Sequence, residues 1–136
     1  MLINKSNFDL MYTKELYMHD HVAGILEFCR DNRRLKFNMT TAKLDKNYTL
    51  EFIDVSGFYM TACNFIGSCE CVYYISLLPD EERKILPKLE EKWDNLPGLA
   101  SFRENYAEYM ELLIEFSSGD ELCIACREIE INGLLD

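Results

Sequence analysis

The chain is poor in the residues on which enzymes most often rely. Its 136 residues include two histidines, His19 and His21, and one tryptophan, Trp93. With the only histidines two positions apart, the sequence offers no argument for a Cys-His nucleophile pairing. Six scattered glycines form no G-x-G-x-x-G or Walker-type loop, which removes the usual phosphate cradles. Neither G-x-S-x-G nor H-E-x-x-H occurs. Lys and Arg are also scarce, 14 against 24 Asp and Glu, for a net charge of -10. That deficit argues against a general nucleic-acid binder, which needs surplus cations to neutralise phosphates.

No apolar stretch approaches the roughly 18–20 residues of a membrane span. The N-terminal "MLINKSNFDLMYTK" lacks a charged segment followed by an apolar run, so no secretory signal is read and a cytoplasmic location is expected. Internal repeats, low-complexity tracts and linkers are absent, and residues 1–136 are read as a single domain.

What is present is period-two alternation. "AGILEFCRDNRRLKFNMTT" predicts a β-hairpin turning at Asp31-Asn32-Arg33, with Leu35, Phe37 and Met39 on one face. "YTLEFIDV" places Tyr48, Leu50 and Phe52 on one face, while "GFYMTACNF" and "CECVYYISLL" are further strands. "DEERKILPKLEEKW" is helix-forming but interrupted by Pro87, so short helical turns are expected there. Ser101 and Glu104 form a capping box that would start a helix over 102–109, yet Tyr106, Met110, Leu112, Ile114 and Phe116 share one parity, so helix and strand both stay open there. "ELLIEF-SSGD-ELCIAC" predicts a second hairpin, continued by "REIEI". The expected class is mainly β (α+β): a single antiparallel sheet or sandwich of six or seven strands with one or two short helices.

The six cysteines stand at 29, 63, 69, 71, 123 and 126. "CEC" and "CIAC" invite a zinc reading, but both lie in β-like runs, and Cys123 and Cys126 would point to opposite faces of a strand. Buried reduced thiols are the expected role.

"MHDHVAG" holds both histidines. At the start of a strand His19 and His21 would face the same way, with Asp20 opposite, so two imidazoles could share a metal. The alternative is that Asp20 caps the turn into the strand. No cofactor is assigned, and His19, Asp20 and His21 are carried forward as a candidate metal cluster.

Charge is uneven along the chain. Residues 1–46 carry 8 basic and 6 acidic groups, whereas residues 104–136 carry one basic group, Arg127, and 9 acidic ones. Such a field is either a solvated acidic face that keeps the protein soluble or a surface that steers a basic protein partner towards the C-terminal third, with Glu111, Glu115, Glu128 and Glu130 as its contact residues.

The order of "MHDHVAGILEF", "RRLKFNM", "YTLEFIDVSGF" and "IEFSSGDELCIACREIEI" resembles small, uncharacterised antiparallel-β proteins of Gram-positive bacteria that carry an H-D pair before an apolar strand. Some of these look like immunity proteins of polymorphic toxin systems. The resemblance spans roughly residues 16–60 and 106–131; His21 departs from the small residue expected after H-D. It implies a fold and a genomic neighbourhood, not a reaction, and no site residues are carried over.

The leading expectation is therefore a non-enzymatic protein-binding module, of immunity type, with an acidic surface for a basic partner. The alternative is a metal-binding protein or metal-dependent enzyme built on His19, Asp20 and His21. A third reading is a homo-oligomer formed through the aromatic strands.

Overall fold

Side chains that alternate between water and core commit most of this chain to extended structure. The structure is a computed structural model in which residues 1–61 and 71–135 are described. Nine strands form among them. They are β1 (Leu2–Asn4), β2 (Val22–Cys29), β3 (Arg34–Thr40), β4 (Asn47–Ile53), β5 (Gly57–Thr61), β6 (Val72–Leu77), β7 (Met110–Phe116), β8 (Glu121–Cys126) and β9 (Glu128–Asn132). One α-helix, α1 (Ile85–Asp94), and three 3₁₀ turns, Phe8–Tyr12, Asp80–Glu82 and Pro97–Phe102, accompany them.

The strands make two antiparallel sheets, ordered β1-β9-β4-β3-β2 and β5-β8-β7-β6. The mainly β, antiparallel class is as expected; of the two layouts expected, a single sheet or a sandwich of six or seven strands, the single sheet gives way to two sheets, and the strands number nine among the described residues. β1 has three residues, too few for alternation to register. The run from Glu121 to Asn132, read as continuous, breaks at Arg127 and divides between the sheets.

That break is half of a corner. β4 pairs with β9 in the first sheet and β5 with β8 in the second, so one long two-stranded ribbon bends from sheet to sheet. Hydrogen bonds continue through the bend, from Arg127 N–H to Ile53 O (3.1 Å) and from Ser56 N–H to Ala125 O (2.9 Å). Asp54 takes a left-handed φ of 56° to turn the chain. Strands that switch sheets in this way belong to crossed rather than aligned packing. β2 fits the same geometry. Its first residue bridges β6 (Val22↔Cys71), while Phe28 near its end meets Phe58 of β5 at a ring separation of 4.8 Å. β6 and β5 are opposite edges of the second sheet, so β2 runs across that sheet's width.

Between the sheets lie Leu35, Phe37 and Met39 from β3, Tyr48, Leu50 and Phe52 from β4, and Leu112, Ile114, Leu122 and Ile124 from β7 and β8. Each such side chain contributes about 1.5–3 kcal/mol through removal from water. A smaller cluster on the outer face of the second sheet joins Ile85 and Leu86 of α1 to Tyr106, Tyr109, Cys123 and Ala125. Gly57 permits that approach, since a Cβ there would lie 2.7 Å from Ile85 Cγ2.

Two local expectations give way. Pro87 does not interrupt a helix: it is the third residue of α1, in the first turn, where its missing N–H is not needed. No helix forms over 102–109, because Glu104 leaves the capping box to pair with Arg33 at 2.6 Å. Among the described residues no helix is long and apolar enough to cross a membrane.

Candidate binding surface

The four glutamates expected to form one surface lie in three places. Glu111 on β7 is completely buried (0% exposed). Its carboxylate accepts the N–H groups of Lys84 (2.6 Å), Ile85 (3.0 and 3.1 Å) and Leu86 (3.0 Å). These are the orphan donors at the start of α1, and the helix dipole there favours a negative charge. Glu111 is thus an internal cap supplied by a strand, with nothing to offer a partner. Glu128 and Glu130 lie on β9 in the other sheet, opposite Ile53 and Glu51 respectively. Only Glu115 lies on the outer face of the second sheet beyond α1's cover.

There it faces Glu121 directly across β7 and β8. Both are half-buried, and neither has a cationic partner among the described residues. Like charges directly opposite each other are destabilising. The row continues outward from Glu115 to Tyr74 on β6 and from Glu121 to Thr61 on β5.

A β-bulge then widens the row into an aromatic surface. The β6–β7 register shifts between Val72 and Tyr74, so Tyr73 is the extra residue and both tyrosines are turned outward, 58% and 43% exposed. The segment preceding β2 supplies two more. Tyr12 packs on Tyr74 (6.4 Å between centroids), and Tyr17 packs on His19 (5.9 Å), which in turn meets Tyr73 edge-on at 5.5 Å. Desolvation pushes the Tyr12 hydroxyl up, countered by a backbone hydrogen bond at Leu77. The segment also protects the edge of β6. Asp20 N–H donates to Val72 O (2.8 Å), and His19 Nδ1–H donates to Tyr73 O (3.0 Å), a carbonyl being able only to accept.

These contacts separate the two histidines. Asp20 takes a left-handed φ of 68°, so the backbone is not extended there and the rings do not share a face as a strand would require. His19 stays on the tyrosine surface, with Nε2 3.6 Å from Asp20 Oδ2. His21 turns inward, with its Nδ1 2.7 Å from the Tyr48 hydroxyl. Burial lowers the His21 pKa despite the nearby Asp20 charge, and burial drives Tyr48 far above the ordinary tyrosine value. Among the described residues no three His, Cys, Asp or Glu side chains gather in a metal-binding set.

The thiols divide by position. Cys126 is in the inter-sheet core and Cys123 under α1, on opposite faces as expected, and burial raises both pKa values. Cys29 is exposed and Cys71 half-buried, so neither is a core residue. Cys63 and Cys69 lie outside the described residues, so the "CEC" pair is described only at Cys71.

The four tyrosines and Glu121 had not been singled out in the sequence. One signal for Glu121 is there: Glu115 and Glu121 are equidistant from the middle of "FSSGD", and a hairpin closed at that turn must set them opposite each other. No protein-family model, curated protein or solved structure matches the chain.

Proposed function

We propose that the protein is a non-enzymatic binding module that docks a basic protein segment on the surface formed by Tyr12, Tyr17, Tyr73, Tyr74, Glu115 and Glu121. The observation that carries this reading is the unneutralised Glu115–Glu121 pair beside exposed tyrosines. A folded protein gains nothing from opposed carboxylates unless a cation settles between them, and Arg or Lys satisfies both parts of the surface. The guanidinium or ammonium bonds the carboxylates, and its stem or charge lies over a tyrosine ring. Tyrosines at the centre of an interface are also the residues that most often dominate its affinity. Neutralisation of a toxin domain, the role of immunity proteins, is one such docking event.

The reading is tested by titrating isotope-labelled protein with a hexa-arginine peptide and following backbone and tyrosine resonances. Perturbations centred on Tyr74, Glu115 and Glu121 are expected. Perturbations spread evenly over the acidic residues, or centred on Glu128 and Glu130, would overturn it.

A further inference from the structure

The sandwich is closed unequally along β2. At its start β2 is hydrogen-bonded to the second sheet through the Val22↔Cys71 bridge, whereas near its end the Phe28–Phe58 ring contact meets β5. Both phenylalanines belong by register to the inner faces, Phe28 opposite Leu35 and Phe58 opposite Ile124. Yet they are 40% and 37% exposed, because the two sheets part here. The gap is a recess of about 440 Å³ lined by Phe28, Phe58, Arg30, Arg33, Val55 and the Ser56–Gly57 backbone. Its size falls in the range of small-ligand sites, roughly 300–1,000 Å³.

The two arginines are not equivalent. Arg33 turns the β2–β3 hairpin with a left-handed φ of 53° and is committed to Glu104 at 2.6 Å, with Tyr109 Oη at 3.4 Å. Ser56 Oγ lies 3.4 Å from the other Glu104 oxygen, so this wall is already satisfied. Arg30 is exposed, and among the described residues it has no ion-pair or hydrogen-bond partner. Asp31, in the same turn, does not line the recess. A protein of net charge -10 therefore presents one open guanidinium beside two open phenyl rings.

We infer that this recess is a binding site for a small organic anion with a flat apolar body, an aromatic carboxylate. The ring of the ligand packs on the exposed faces of the touching Phe28 and Phe58 rings, where it replaces water on both, and its carboxylate accepts from Arg30. A cation is disfavoured by the two guanidinium groups, and a polyphosphate by the single free one and the apolar walls. The site is on the β2–β5 side, separate from the tyrosine–glutamate surface centred on β6 and β7, and does not depend on it.

The test compares phenylacetate with 2-phenylethanol, its neutral counterpart, by NMR titration of the whole chain. Phenylacetate is expected to shift Phe28, Arg30 and Phe58 saturably and to bind about tenfold more tightly than the alcohol, the scale of one charge-assisted hydrogen bond. Arg30→Gln should remove that preference without changing the melting temperature, since Arg30 is exposed and unpartnered among the described residues; Phe58→Leu should weaken both ligands. Equal binding of acid and alcohol, an unchanged preference in Arg30→Gln, shifts elsewhere, or no saturable binding at millimolar ligand would each overturn the inference.

Discussion

Both carboxylate oxygens of Glu111 accept the N–H of Ile85, at 3.1 and 3.0 Å, and hold the start of α1 against the second sheet. Removing that acceptor leaves the N–H groups of Ile85 and Leu86 buried and unsatisfied. Glu111→Ala should lower the unfolding free energy by about 3 kcal/mol. Glu111→Gln should cost about 2 kcal/mol, because the amide loses the charge and turns one end from acceptor to donor. Urea denaturation gives the totals, and hydrogen exchange should show the loss concentrated in α1.

Glu115 and Glu121 should behave in the opposite sense. Glu115→Gln relieves a like-charge cross-strand pair and is expected to stabilise the fold by about 0.5 kcal/mol. A substitution that stabilises while weakening association with a basic peptide marks a surface kept for binding rather than for folding. Thermal melts and peptide titrations on the same variant check both signs.

His21 makes stability depend on pH. Burial lowers its folded pKa below the ordinary 6.5, so the unfolded chain takes up the proton more readily. Stability from this residue is complete above about pH 6.5 and falls as the pH drops below it, down to the folded pKa. Below the folded value no further loss comes from His21. Melting temperatures from pH 7.5 to 5 should decline in this protein and decline less in His21→Gln, which keeps a polar partner for Tyr48 without titrating.

The thiols should react in order of exposure. Among the described cysteines, Cys29 is expected to be alkylated first under native conditions. Cys123 and Cys126, buried and with raised pKa values, should react only on unfolding. Timed labelling with peptide mapping by mass spectrometry separates them.

The parts of this molecule legible in its sequence are those where one face is dry. Leu35, Phe37 and Met39, then Tyr48, Leu50 and Phe52, alternate because every second side chain enters the core, and both strands lie where the alternation places them. The "SSGD" turn likewise joins β7 to β8. What stayed hidden depends on long-range geometry. Glu111 is one more strand glutamate until α1 arrives with unpaired N–H groups, and Pro87 reads as a breaker until the helix start is located two residues before it. The bulge that exposes both Tyr73 and Tyr74 has no sequence mark, and the left-handed Asp20 reverses the expected relation of His19 to His21. Glutamates close together in sequence, such as Glu111 and Glu115, part company for the same reason: one is covered by α1 and the other is not.

The most direct test of the binding account sets two double variants side by side. Glu115→Gln with Glu121→Gln, and Glu128→Gln with Glu130→Gln, remove the same charge from different sheets. The account predicts that hexa-arginine affinity at 0.15 M salt falls severalfold in the first pair and stays near the unmodified value in the second. Equal losses in both would mean that only net charge is being read, and would contradict a docking surface on β6, β7 and β8.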